Sequence, residues 1–87
     1  MGATTFMANE VSNDDLVALI AEVLECAKEE LSEASRFREH ESWDSLAHLS
    51  TVAMVDEKFG VVLRAEEFKG IHTIAELADY VRNAQRS

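Results

Sequence analysis

Apolar residues recur at helical spacing in three parts of the chain, and the first of these parts predicts a helix that begins near Ser12 or Asn13. Ser12 and Asp15 form an acidic variant of a capping box at its start. The letters that follow, CAKEEL, contain no helix breaker, so we expect the helix to continue past Cys26. Its predicted core face is Leu16, Ile20, Val23, Leu24 and Ala27.

Two further helices are predicted in the second half of the chain. One runs from about Ser45 to Phe59 and is followed by Gly60, which suits the left-handed residue that ends many helices. The apolar stripe on which we expect it to pack is Leu46, Leu49, Val52, Ala53, Val55 and Phe59. The last helix begins at a capping box formed by Thr73 and Glu76. Its predicted core face is Ile74, Leu77, Ala78 and Val81.

The segments outside these helices are predicted to be irregular. Residues 32–44 are polar except for a few positions, and we expect a long connection anchored by Phe37. The apolar run at 61–63 has no comparable β-branched run to pair with, so we interpret it as an extended connector. Residues 1–11 show no periodicity and are predicted to be a flexible tail.

Residues 65–70 are long enough for one helical turn, which Gly70 would close. The chain therefore has three main helices plus one short helix. None of these helices buries its apolar stripe alone, so they must pack together. The prediction is an all-α fold, a four-helix bundle that occupies residues 12–85.

Composition narrows the classes of function. A chain of 87 residues forms one small domain with a thin core, which disfavours a deep catalytic pocket and hence an enzyme. The net charge of −9 disfavours nucleic acid and anionic membranes as partners and favours basic surfaces on other proteins. Cys26 is the single cysteine, and no secretory signal is evident, so we expect a cytoplasmic protein. We also expect it to be a monomer.

The side chains of Asp44, Ser45 and His48 suggest a hydrolase, but the rest of the chain does not support one. A catalytic triad needs a histidine oriented by a buried acid, an oxyanion hole and a substrate pocket, and little in this chain can supply them. Three scattered histidines without a cysteine pair do not form a zinc signature, so no metal site is expected. His48 is instead predicted to face solvent at a surface that binds partners.

Several sequence landmarks occur in a characteristic order. They are Phe37, the motif Asp44-Ser45-Leu46 at a helix start, DEKFGV at 56–61, Leu63, and IHTIAEL at 71–77. In this order they resemble the acyl carrier protein family, over about residues 12 to 84. The three-residue motif alone is weak, and its combination with the helix pattern makes the resemblance specific.

The resemblance implies a non-catalytic carrier. A phosphopantetheinyl transferase would move 4′-phosphopantetheine from coenzyme A onto Ser45, which Asp44 and Leu46 flank. The thiol of this arm would hold acyl groups as thioesters and carry them between a loading ligase or acyltransferase and the synthase enzymes of a fatty-acid, polyketide or other specialised pathway. A helix start, with its unpaired N–H groups, is also a favourable place for a phosphate.

The chain departs from fatty-acid carriers around the motif. Glu41 and Ser42 stand where those carriers have Leu-Gly, and His48 lies in a stretch where they have acids. These differences favour a stand-alone carrier of a specialised pathway. An aminoacyl or peptidyl carrier remains an alternative, as does a non-covalent acidic helical adaptor in which Ser45 is only part of a helix start.

Partner enzymes are expected to contact the second helix and the acids near it. The predicted contact residues are Trp43, His48, Asp56, Glu57, Glu66 and Glu67. For Trp43 the simpler interpretation is that its side chain packs on the loop. For Glu66 and Glu67 the simpler interpretation is a solvated helix face.

Overall fold

The structure, a computed structural model, describes residues 11–86, with side chains as far as residue 85. Within this range it contains α-helices and no strand, which confirms the predicted all-α fold of three main helices and one short helix. None of the described helices is long and apolar enough to cross a membrane. The helices are α1 (Asn13–Leu24), α2 (Ser45–Phe59), α3 (Ala65–Phe68) and α4 (Ile74–Arg86). The first helix, α1, packs against both α2 and α4.

The hydrophobic core includes Val11, one residue before the predicted start of the domain. Val11 is 3% exposed and belongs to the hydrophobic core. Its carbonyl oxygen accepts a hydrogen bond of 3.4 Å from the Arg82 guanidinium of α4. The remainder of the predicted tail, residues 1–10, lies outside the described residues, and its flexibility stays a prediction.

The first helix ends at Leu24, so the prediction that it continues past Cys26 is wrong. Glu25 adopts the left-handed conformation, with φ of 58°, and the Cys26 N–H donates to the Ala21 carbonyl oxygen at 3.0 Å. A left-handed residue other than glycine costs roughly 1–2 kcal/mol. The turn brings Cys26 and Leu31 against the core, and the apolar burial offsets that cost. Ala27, predicted to lie on the core face, is exposed.

The second helix buries only part of its predicted apolar stripe. Val55 is buried, and Val52 and Phe59 pack against the core. Leu46 and Leu49 are 70% and 63% exposed, and Ala53 is exposed as well. The residues that are buried share a spacing of four and have small or branched side chains: Ala47, Thr51 and Val55. The Thr51 hydroxyl donates to the carbonyl oxygen of the Ala47 backbone at 2.9 Å, so its burial leaves no polar group unsatisfied.

The long connection between α1 and α2 is held by one buried ring and by hydrogen bonds to α4. It contains two 3-10 turns, Lys28–Glu30 and Phe37–Glu39. Phe37 is fully buried, as predicted for its anchor. The N–H groups of Ile74 and Ala75 donate to carbonyl oxygens of residues 35 and 33, at 3.1 and 2.8 Å. These bonds satisfy groups that a helix start leaves without intrahelical partners.

Arg38 ties this connection to the end of α3. Its Nε donates to the Ile71 carbonyl oxygen at 3.0 Å, and its Nη2 donates to the Phe68 carbonyl oxygen. The guanidinium also lies 4.8 Å from the centre of the Phe68 ring, a cation–π geometry. Arg38 thus gives a charged donor to the last carbonyl group of α3 and to that of Ile71, three residues later. The Phe68 carbonyl oxygen also accepts from the Ile71 N–H at 3.0 Å. Sequence reasoning did not single out Arg38.

The predicted capping boxes are confirmed. At α4 the Thr73 hydroxyl accepts from the Glu76 N–H, and the Glu76 carboxylate accepts from the N–H groups of His72 and Thr73. These hydrogen bonds, the one from His72 first, lower the pKa of the Glu76 carboxyl. At α1, Ser12 and Asp15 exchange the equivalent pair of bonds.

The segment after α2 is an extended connector, as predicted. Gly60 ends the helix in the left-handed conformation, with φ of 69°. Val61 and Leu63 are buried, whereas Val62 between them is 65% exposed. This alternation confirms that the connector is extended and that one of its faces packs on the core.

Replacing Arg38 with Ala should destabilise the fold by about 2 kcal/mol, because two carbonyl oxygens lose a charged donor. Urea unfolding followed by circular dichroism would measure the change. The matched control is Arg36→Ala, which removes only an exposed ion pair of 3.8 Å with Glu39 and should cost no more than about 0.5 kcal/mol. Equal losses in the two variants would contradict the role assigned to Arg38.

Candidate functional site

Ser45 is the first residue of α2, and its side chain is exposed. Among the described residues its hydroxyl makes no hydrogen bond. Ser45 lies at a helix start that follows a long connection. Another protein can therefore reach its side-chain oxygen. The hydroxyl is therefore accessible for modification.

Asp44 is the N-cap of α2. Its backbone is extended, and its carboxylate accepts a hydrogen bond of 2.8 Å from the Ala47 N–H. The His48 N–H donates to the Asp44 carbonyl oxygen at 3.0 Å. The N–H groups of Ser45 and Leu46 precede any intrahelical acceptor, so they and the positive end of the helix dipole can stabilise an anion at Ser45.

An aromatic cluster lies beneath this helix start. It consists of Phe37, Trp43, His48 and Phe68, and Arg38 lies over the ring of Phe68. The ring centres of Phe37 and Trp43 are 5.1 Å apart, and those of Phe37 and Phe68 are 5.8 Å apart. Trp43 precedes the cap residue directly, so the packing of its ring positions the start of α2. The expectation that Trp43 packs on the loop is confirmed.

His48 does not lie where the sequence placed it. The prediction was a solvent-facing side chain, but His48 is half-buried, with its ring centre 5.0 Å from that of Phe68. On α2 the residue lies one turn after Trp43 and Asp44, and packing on the cluster covers one side of its ring. Its role in the structure is to extend the aromatic cluster.

The same geometry argues against a hydrolytic triad. The Asp44 carboxylate is exposed and caps α2, so it does not orient the His48 ring. The ring of His48 contacts Phe68 and Trp43. Ser45 and His48 are neighbours on the helix, but neither the buried acid nor the positioned base of a triad is formed by these residues.

Exposed apolar side chains border Ser45. Leu46 and Leu49 are three residues apart and therefore neighbours on the helix surface. Both are more than 60% exposed. Sequence reasoning assigned both Leu46 and Leu49 to the core, and both assignments are wrong, because apolar residues occur on more than one side of α2. The buried face of α2 consists of Ala47, Thr51 and Val55. Their spacing of four residues was the feature of the sequence that could have identified this face.

The acids of α2 predicted to bind partners lie far from Ser45. Asp56 and Glu57 are exposed on the last turns of the helix. At 1.5 Å per residue, Asp56 is about 16 Å along the helix axis from Ser45. The structure thus brings Trp43 and His48 together with the motif, but it places these acids at the opposite end of α2.

The two acids of α3 differ in their surroundings. Glu66 and Glu67 are both exposed. The Glu67 carboxylate accepts a hydrogen bond from the Tyr80 hydroxyl of α4. This hydrogen bond, with partial burial, raises the pKa of the Tyr80 hydroxyl. Glu67 therefore contributes to the packing of α3 on α4.

Comparison with known proteins identifies relatives over most of the chain. Residues 14–81 match the family described as "Phosphopantetheine attachment site". The chain is 31% identical over 78 residues to the acyl carrier protein of Arthrobacter sp. (strain FB24), across 85% of this chain and 96% of that relative. It is 32% identical over 68 residues to the acyl carrier protein of Wolinella succinogenes, across 78% of this chain and 90% of that relative.

Asp44→Ala should destabilise the protein by about 1 kcal/mol, since the Ala47 N–H loses its cap acceptor. Asp44→Asn keeps an acceptor oxygen and should change the free energy of unfolding by only a few tenths of that amount. Urea unfolding of both variants would measure the difference. If Asp44→Asn proved as destabilising as Asp44→Ala, the charge of Asp44 and not its hydrogen bond would hold the helix start.

Proposed function

Because the chain belongs to the acyl carrier protein family, we propose that Ser45 is the residue to which its 4′-phosphopantetheine arm is attached. The family is one of non-catalytic carriers. The matched residues 14–81 include the motif, and the exposed Ser45 hydroxyl at the start of α2 is the observation that carries the assignment.

The surroundings of Ser45 fit a phosphodiester. The N–H groups of Ser45 and Leu46 and the helix dipole favour an anion there. The Asp44 carboxylate partly opposes this by repulsion, but it stabilises the helix start on which the N–H groups depend. When attached, the arm supplies a terminal thiol that holds an acyl group as a thioester.

Partner enzymes would approach the exposed start of α2. Leu46 and Leu49 offer apolar contact area beside Ser45, while Trp43 and His48 act from beneath by positioning the helix start. The exposed acids Asp56, Glu57, Glu66 and Glu67 extend the surface towards basic partner surfaces. Glu67 does so while accepting the Tyr80 hydrogen bond.

The enzymes that fit this surface are a phosphopantetheinyl transferase, a loading ligase or acyltransferase, and downstream synthase enzymes. The net charge of −9 supports partners with basic docking surfaces. Glu41, Ser42 and His48 around the motif favour a specialised pathway over housekeeping fatty-acid synthesis. The single cysteine, Cys26, cannot form an internal disulfide, which suits the reducing cytoplasm. We further propose that the chain is a monomer.

Incubation with coenzyme A and a broad-specificity phosphopantetheinyl transferase should add the mass of one phosphopantetheine to the intact protein. Ser45→Ala should gain nothing, because the attacking hydroxyl is removed. Ser42→Ala is the matched control, since it removes another exposed hydroxyl three residues away and should still be modified. Modification that persists in Ser45→Ala would refute the assignment, and an unmodified native chain would favour a non-covalent adaptor.

The docking proposal predicts binding that weakens as salt concentration rises, because exposed charges are screened. The double variant Asp56→Asn/Glu57→Gln should bind its loading enzyme about twofold to tenfold more weakly at low salt. Glu29→Gln/Glu30→Gln makes the same charge change on the connection after α1 and serves as the control. Titration calorimetry at several salt concentrations would measure both. Equal effects of the two double variants would show that only net charge matters.

A further inference from the structure

Three side chains that can bind metals converge on the connection between α1 and α2. The Cys26 sulfur, a Glu30 carboxylate oxygen and a His40 ring nitrogen all lie within 4.8 Å of one another. Cys26 and His40 are half-buried, and Glu30 is exposed. We propose that Cys26, Glu30 and His40 form a binding site for a divalent transition-metal ion, with Zn²⁺ as the best match.

The donor set selects the class of metal. Thiolate, imidazole and carboxylate are the three side-chain ligand types of zinc, whereas Mg²⁺ and Ca²⁺ prefer oxygen alone. Zinc-to-ligand distances near 2.0–2.3 Å in a tetrahedron place the donors about 3.5 Å apart. Side-chain rotations that shorten the present separations by roughly 1 Å would therefore close the site. Three protein ligands leave the fourth position to water.

The backbone presents these donors from three separate turns. The left-handed Glu25 places Cys26 directly after α1. Glu30 ends the first 3-10 turn, and His40 follows the second, whose first residue, Phe37, is fully buried. Cys26 and His40 thus follow turns that are tied to the core, whereas Glu30 lies on an exposed turn. The metal would have to order only the Glu30 side of the site.

Within the described part of the chain, the Glu30 carboxylate is not engaged by a basic side chain. Among the described residues the ion pairs are Lys28–Asp14, Arg36–Glu39 and Arg82–Asp79, and none of them involves Glu30. The Glu30 carboxylate accepts only a long hydrogen bond of 3.4 Å from the Ala27 N–H. A dication bound to one thiolate and one carboxylate would be neutral overall.

Metal binding at Cys26 would displace the proton of its thiol. Burial, and next the charge of Glu30, raise the pKa of the Cys26 thiol. On binding, the sulfur–hydrogen bond breaks, the sulfur bonds to the metal, and the proton passes to water.

His40 exchanges a hydrogen bond for the metal. Its Nδ1 accepts a hydrogen bond of 3.0 Å from the Ser42 N–H. A neutral imidazole has one ring nitrogen with a free lone pair. The metal would bind this nitrogen either in the present ring orientation or after the ring flips about its Cβ–Cγ bond. The Ser42 N–H then donates to water, because Ser42 is exposed. The amide signal of Ser42 therefore reports on metal binding without any measurement of carrier activity.

The test uses the Ser45→Ala chain, so that no thiol of an attached arm can contribute. Titration with Co²⁺ should give a thiolate-to-cobalt charge-transfer band at one ion per chain, and Zn²⁺ should displace the cobalt. Adding Cys26→Ser, His40→Ala or Glu30→Gln should each weaken binding at least about tenfold. Glu29→Gln, on the same turn, and His72→Ala are the matched controls and should bind like the parent.

Zn²⁺ should also shift the Ser42 amide signal in a ¹H–¹⁵N spectrum of the same chain. Absence of the charge-transfer band, cobalt binding that persists in Cys26→Ser and in Cys26→Ala, or equal affinities of Glu30→Gln and Glu29→Gln would each overturn the proposal. Circular dichroism of every variant would distinguish the loss of a metal-binding side chain from the loss of the fold. Since Ser45 is absent throughout, the outcome is independent of the proposed arm attachment.

Discussion

Arg38 lies over the ring of Phe68 and donates hydrogen bonds to the carbonyl oxygens of Phe68 and Ile71. The connection from which it projects is mostly polar and buries little apolar surface of its own. Phe37 and Trp43 pack with Phe68, and together these contacts hold the connection on the end of α3. Because Trp43 directly precedes the cap of α2, the position of Ser45 depends on this one set of contacts.

A thin core also explains the exposed apolar residues beside Ser45. A small domain has few positions that can be buried, and α2 uses Thr51 and Val55 for its contacts with the other helices. Leu46 and Leu49 remain on the outside as a consequence. Exposed apolar area of this kind is what a protein that binds several enzymes in turn can offer to each of them.

The connection between α1 and α2 serves two proposed purposes. Cys26, Glu30 and His40 come together along it, and its last residues lead into the cap at Asp44 and to Ser45. Four residues lie between His40 and Ser45. A metal at the first site would restrict the segment that carries the second, because both lie on one stretch of chain held by Phe37.

Several features of this protein could be predicted from the sequence alone, because they depend on residues close together in the chain. The positions of α2 and α4, the caps at Ser12 and Thr73, and the motif at Ser45 each depend on residues within one helical turn. The tertiary structure decided the end of α1, the buried face of α2 and the partners of Arg38. When apolar residues occur on two faces of one helix, periodicity does not show which face is buried. A left-handed turn at a glutamate forms only where contacts with distant core residues offset its energetic cost. Such contacts join residues far apart in the chain, so they exist only once the bundle is assembled.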